Sequence, residues 1–178
     1  MIVFDTETTG LPKVDSAPLE SQPQIIEFAG IKLHDETLEE LDRIEFLANP
    51  GRPLEEIIIK ITGLTDDVLR DQPPFGANFS RLAEFFLGER AMCAHFVGFD
   101  RSLLTYELRR LGKMDRFPWP QKHICTVEAS MPLRGHKLKL GVLHEIACDY
   151  VFEDAHRAMP DVEALVRCVR WLRKEGHL

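Results

Sequence analysis

Asp5 and Glu7, two carboxylates two positions apart, close the apolar run Met1-Ile2-Val3-Phe4 and are followed by Thr8-Thr9-Gly10. An apolar run that ends in a glycine turn is expected to be a buried strand, and alternate side chains of a strand share a face. Both carboxylates therefore point at one spot beside a core. Like charges held together repel, so one takes up a proton or a divalent cation neutralises the pair, and the cation is the simpler reading. Hard cations such as Mg²⁺ take oxygen ligands and share their coordination between a few carboxylates and substrate phosphates.

Two further acids border predicted elements. Asp100 closes Val97-Gly98-Phe99, and Asp161 follows Pro160. Four carboxylates suit two ions, and two ions about 3.5 to 4 Å apart can clamp an in-line displacement at phosphorus. The attacking water must also lose a proton. His156 stands five positions before Asp161, in the non-helical stretch Glu153 to Met159, where a flexible lead-in can swing its ring over a metal held by Asp161. An imidazole, with an ordinary pKa of about 6.5, suits that base.

Positioning these residues falls to a series of strands and amphipathic helices. Gln24 to His34 and Glu40 to Ala48 read as two strands with a polar hairpin, Asp35 to Glu39, between them. Ile57 to Ile61 is apolar without a decisive period. Thr65 offers an N-cap to a short helix ending before Pro73-Pro74, and Asn78 to Leu87 has helical spacing and is expected to pack on the sheet. Arg90 to Phe96 reads as a strand that leads into a helix with Asp100 at its N-cap. His123 to Thr126 reads as another strand, Leu138 to Tyr150 as a helix, and the last helix is expected to start at Pro160. Asp161, Leu165, Cys168 and Leu172 share one face of that helix; a carboxylate heading an otherwise apolar face is poorly explained by solvation. Early strands, then strands alternating with helices, give an α/β chain with a mixed sheet covered by helices on both faces.

Size and composition set the frame. A chain of 178 residues that is 44% hydrophobic suits one domain, expected over residues 1–178. It lacks a signal-peptide pattern and any apolar run long enough to span a bilayer, so a soluble, cytoplasmic protein without membrane contact is expected. Cys93, Cys125, Cys148 and Cys168 are scattered without metal-site spacing and read as reduced core residues. The formal net charge of -7 is unusual for a nucleic-acid binder, yet Arg101, Arg109, Arg110, Lys113, Arg116 and Lys122, followed by Arg134, Lys137 and Lys139, allow a local basic surface. Asp5-Thr6 does not make an aspartic protease, because Glu7 stands where that motif needs Gly.

Asp5-Thr6-Glu7-Thr8-Thr9-Gly10, then Ala94-His95-Phe96-Val97-Gly98-Phe99-Asp100, then Ala155-His156-Arg157-Ala158-Met159-Pro160-Asp161 resemble, in order and spacing, the three motifs of the DEDDh 3′-to-5′ exonucleases. That superfamily includes the proofreading subunit of bacterial replicative polymerase, ribonuclease T and oligoribonuclease. The resemblance implies a ribonuclease H-like fold with a mixed five-stranded sheet. It implies Asp5, Glu7, Asp100 and Asp161 as ligands of two divalent cations, Mg²⁺ or Mn²⁺, and His156 as the base. Thr8, Thr9, Leu11, His95 and Phe99 become candidate contacts to the 3′ end of a single strand, Phe99 suiting core packing equally well. The product would be a nucleoside 5′-monophosphate, with DNA slightly favoured over RNA and a polymerase or other replication or repair protein as a partner. The alternatives are an RNA-trimming exoribonuclease and a non-catalytic nucleic-acid-binding or polymerase-docking module. Three positions depart from the family pattern: Phe96 replaces the usual Asn, Thr62 a common His, and Cys125 a frequent Asp. A ring at position 96 suits base stacking or core packing, and core packing is the expectation.

Overall fold

The computed structural model describes residues 1–14, 16–152 and 156–178. Its five-stranded sheet has the order β3-β2-β1-β4-β5, where β1 is Ile2–Thr8, β2 Ile25–Leu33, β3 Glu40–Leu47, β4 Ala91–Ala94 and β5 Lys122–Cys125. The first three strands pair antiparallel, as the polar hairpin requires, while β4 and β5 run parallel to β1. The expected mixed sheet of the ribonuclease H-like class is thus observed.

Period-2 alternation along β1 divides the core. Ile2 and Phe4 face one layer, where Phe28 of β2, Leu82 and Phe86 of α3 (Phe79–Phe86) and Leu103 and Leu104 of α4 (Val97–Arg110) are buried. Val3 faces the other, with Ala29 and Ile31 of β2, Leu143 of α6 (Leu140–Cys148) and Val162, Leu165, Cys168 and Leu172 of α7 (Ala158–Lys174). Each helix spans its core with an apolar stripe, so the sheet is covered on both faces. At the end of β1 the register slips between Glu7 and Thr8, so that Glu7 lies opposite Glu27 and Thr8 opposite Ile25. Irregularities of this kind re-aim side chains beside functional sites.

One stretch left open by the sequence is settled, and three features differ from the sequence reading. The run Ile57–Ile61 lies in a helix, α1 (Glu56–Thr62), which is followed by α2 (Asp66–Arg70) with the Thr65 hydroxyl accepting from the Val68 N–H. Asp100 is not the N-cap of α4. That place belongs to Phe96, and Asp100 sits in the first turn, turned into the protein. Thr126 begins a helix that was not expected, α5 (Thr126–Arg134), with Pro132 inside it. The last helix starts at Ala158, two residues before Pro160; proline is tolerated there because first-turn N–H groups have no intrahelical partner.

Phe96 is the clearest correction. It is 50% exposed, not core. Its φ of 80°, a left-handed conformation rare for a bulky residue, sends the chain from β4 into α4 and turns the ring outward. Cys93, Cys125 and Cys168 are buried free thiols, in keeping with the reduced-core reading, and Cys148 is partly buried. Arg110 is a structural cation, not a surface charge: it donates to the carbonyls of Leu19, Gln22 and Pro23 and pairs with Glu107 at 3.0 Å. Among the described residues, no helix is long and apolar enough to cross a membrane.

Candidate functional site

The end of β1 is where the two layers meet. Asp5 and Glu7 project on the α7 side, whereas Thr6 projects towards α4 and donates its hydroxyl to Asp100 Oδ1 at 2.8 Å. That bond draws a buried carboxylate from the opposite layer to the strand end. Asp161, in the first turn of α7, is also buried, and its Oδ2 accepts the backbone N–H of His156 at 3.1 Å. His156 has a φ of 71°, so the chain turns sharply before the helix begins. Carboxylate oxygens of Glu7 and Asp161 and a ring nitrogen of His156 lie within 4.8 Å of one another. The expected lead-in residues Glu153 to Ala155 lie outside the described residues.

Electrostatics reflect this crowding. Burial first, then the charges of Asp100, Glu7, Asp161 and Glu27, hold the Asp5 carboxyl well above the usual range. Burial, Asp161, Glu27 and Asp100 push Glu7 up to about 8, while Arg157 opposes the shift. Burial raises Asp100 to about 7 against the hydrogen bond from Thr6, and raises Asp161 to about 6 against the N–H of His156. Four acids that resist ionisation side by side form an all-oxygen donor set of the type hard divalent cations neutralise. The residues present therefore fit such ions.

A cavity of about 770 Å³ meets this cluster at Glu7 and His156. Thr6, Glu7, Thr8, Thr9 and Leu11 line one wall, and Ile57, Ile58 and Ile61 of α1 line another. Phe99 and His156 reach its edge. Leu11, at 79% exposed, and Ile57 and Ile61, at 54% and 43%, leave apolar surface bare around a polar floor. Apolar walls around a polar floor are the usual form of a ligand site. Thr8 donates its hydroxyl to the Gly10 carbonyl at 2.7 Å, and Thr9 Oγ1 accepts from Gln24 N–H and from Arg52. The sequence-predicted Thr8, Thr9, Leu11 and Phe99 therefore share one cavity. His95 does not line it: one ring nitrogen is bonded to Thr126 Oγ1 at 2.9 Å and the other to the Leu138 carbonyl at 3.0 Å.

Sequence reasoning missed Glu27 and Arg157. Glu27 is the sole charge in the run Ile25 to Gly30, buried beside Glu7, and an ionisable residue inside an apolar strand was the available signal. Its carboxylate accepts a fork of bonds from the Arg157 guanidinium, the shortest 2.8 Å, and a further one from the Ala158 N–H at 3.1 Å. Glu27 so anchors the start of α7 next to His156. Arg157→Ala should leave Glu27 as an uncompensated charge beside Glu7. The expected loss in urea unfolding is about 1 to 3 kcal/mol at pH 8, shrinking at pH 5, where Glu7, pushed up to about 8, keeps its proton and adds no repulsion; an equal loss at both would refute the electrostatic account.

Comparison with known proteins gives a consistent set of matches. A family model described as Exonuclease matches residues 2–169. The PolC-type DNA polymerase III of Bacillus cereus is 36% identical over 167 residues, covering 92% of this chain and 10% of the polymerase. The chain thus spans about a tenth of that relative's length. Among solved structures, the nuclease domain of 3′hExo, a DEDDh family member bound to rAMP, superposes with a TM-score of 0.76 at 20% identity, over 98% of this chain and 92% of that one. Exonuclease X in complex with 5′ overhanging duplex DNA gives a TM-score of 0.68 at 19% identity, over 99% and 93%. These two likenesses concern the fold.

Proposed function

The chain belongs to the DEDDh exonuclease family, and from that membership we propose that it hydrolyses nucleic acid from the 3′ end, releasing nucleoside 5′-monophosphates, with single-stranded DNA the preferred substrate. The observation that carries the reading is the approach of Glu7, His156 and Asp161 within 4.8 Å, two of which, Glu7 and His156, line the cavity. Asp5, Glu7, Asp100 and Asp161 are the proposed holders of two divalent cations, Mg²⁺ or Mn²⁺. When bound, such ions polarise the phosphate and make water a nucleophile near neutral pH.

The rest of the chemistry falls to side chains of the chain. His156, exposed at the cavity edge, takes the proton of the water that adds to phosphorus as the bond to the 3′-oxygen of the preceding nucleotide breaks. The terminal nucleotide sits between Leu11 and the isoleucines of α1, with its sugar against Thr8 and Thr9. Arg52 and Lys13, also on the cavity wall, supply positive charge to an anionic strand entering an acidic site.

DNA is placed ahead of RNA because the curated relative named above is a DNA polymerase, of which this region is a small part. A polymerase or other replication or repair protein is the corresponding proposed partner. RNA trimming is the second reading, since the structural neighbour bound to rAMP shares the fold and a metal site acting on a phosphodiester is indifferent to the 2′-hydroxyl. The test is digestion of 5′-labelled single-stranded DNA, duplex DNA and RNA in parallel at fixed salt. With Mg²⁺ or Mn²⁺ a descending ladder is expected, fastest on single-stranded DNA, and chelator should abolish it. Release of the labelled 5′ nucleotide alone would overturn the direction, and faster loss of RNA would overturn the DNA preference.

A further inference from the structure

Phe96 is half exposed one helical turn before Phe99 and Asp100, where β4 leads into α4. Phe99 lines the cavity; Phe96 does not. A ring in this place is not explained by packing. The backbone is held in the left-handed region that disfavours a large side chain, with a φ of 80°, and the side chain is not withdrawn into the core in return. A cation accompanies it. Lys137 Nζ lies 5.4 Å from the ring centroid, and the loop carrying Lys137 is fixed because His95 bonds the Leu138 carbonyl with one ring nitrogen and Thr126 with the other. An exposed aromatic face beside an ammonium carried on an anchored loop matches the combination that single-stranded nucleic acid uses, a base stacked on a ring and a phosphate near a positive charge.

We propose that Phe96 and Lys137 form a second nucleotide seat, outside the terminal cavity, where an unpaired base upstream of the scissile bond stacks on Phe96 and its phosphate meets Lys137. The proposal rests on the exonuclease reading given above. A strand whose last nucleotide fills the cavity has to pass out over the surface around it, and Phe96 is the N-cap of the helix whose first turn carries Asp100 and the cavity-lining Phe99. His95 then acts as a positioning residue, holding the Lys137 loop in place rather than touching substrate.

Substituting Phe96→Gly gives a clean test, because glycine removes the ring and accepts the positive φ without strain. Thermal stability should stay level or rise, whereas equilibrium binding of a 5′-fluorescein deca-thymidylate, measured by anisotropy with Ca²⁺ in place of Mg²⁺, should weaken about five- to a hundredfold. Phe96→Trp should retain binding. Replacing the penultimate thymidine by an abasic site should weaken binding to the wild type but not further weaken binding to Phe96→Gly. Lys137→Gln should lower the slope of log affinity against log salt by about 0.7. Unchanged affinity in Phe96→Gly, or equal sensitivity of both proteins to the abasic site, overturns the seat while leaving the exonuclease reading intact. A wild type that neither binds nor digests the strand overturns both.

Discussion

Metal-free protein should melt at progressively lower temperature as pH rises from 6.5 to 8, and Mg²⁺ should restore the loss most fully at pH 8. The sign follows from the acids at the end of β1. Glu7 is raised to about 8, Asp100 to about 7, and Asp5 lies well above the ordinary range, chiefly through burial. In the unfolded chain these groups ionise near pH 4. The folded state therefore holds protons that the unfolded state has released, and the stability this gives is complete below the unfolded pKa and lost as pH climbs through 7 and 8. Buried His95 and His144 have lowered pKa values and act oppositely, but an unfolded histidine is already half deprotonated at about pH 6.5, so only a small remainder of their effect is left and it is spent by about pH 7.5. Asp35 and Glu40, shifted downward by their ion pairs, titrate well below this window. The expected loss is of order 2 to 3 kcal/mol, which for a chain of this length is roughly 5 to 10 °C. Ions that bind the ionised acids add stability by mass action. Differential scanning fluorimetry in chelator and in Mg²⁺ at pH 6.5, 7.2 and 8.0 measures it, and a melting temperature that rises with pH in chelator would contradict this account.

How much of this was legible in the sequence depends on whether a residue's partner lies nearby. Strands β1 to β3 were readable because apolar runs and a polar hairpin specify them locally. The motif acids could be found because three short segments each carry their own signature. Ile57 to Ile61 resisted assignment for a functional reason: Ile57 and Ile61 are exposed on a cavity wall, so the run lacks the one-sided burial that makes a helix readable. Helix α5 was hidden by Pro132, which by itself argues against a helix interior. Glu27 shows in the sequence only as a lone charge in an apolar strand; its place in the site does not, because its counter-ion, Arg157, is 130 positions away. Phe96 shows the limit of composition as a guide. Aromatic residues are mostly buried, and only the positive φ at the entry to α4 reveals that this one is turned out.

Substituting Asp5→Asn and His156→Ala should separate holding the ions from moving the proton. Asparagine is nearly isosteric with aspartate but neutral, and Asp5 is the acid whose ionisation is opposed by all three of the other candidate ligands. Removing its charge should raise the melting temperature of metal-free protein at pH 8, since folding no longer has to hold a carboxyl that burial and the neighbouring acids keep from ionising, and should shrink the added stabilisation by Mg²⁺. Digestion should fall about a thousandfold or more, because the ions supply several kcal/mol of charge stabilisation to the displacement. His156 is exposed, and Asp161 accepts its backbone N–H rather than its ring. His156→Ala therefore leaves that bond in place and keeps the four carboxylates. Its Mg²⁺-dependent rise in melting temperature should match the wild type, while turnover falls about a hundred- to ten-thousandfold with the loss of a general base. A gain in metal-free stability accompanying a loss of activity distinguishes Asp5 from an ordinary structural residue, whose replacement would lower both. If Asp5→Asn retained the full Mg²⁺ stabilisation, Asp5 would not be a ligand. If His156→Ala abolished it, His156 would be a ligand and not the base.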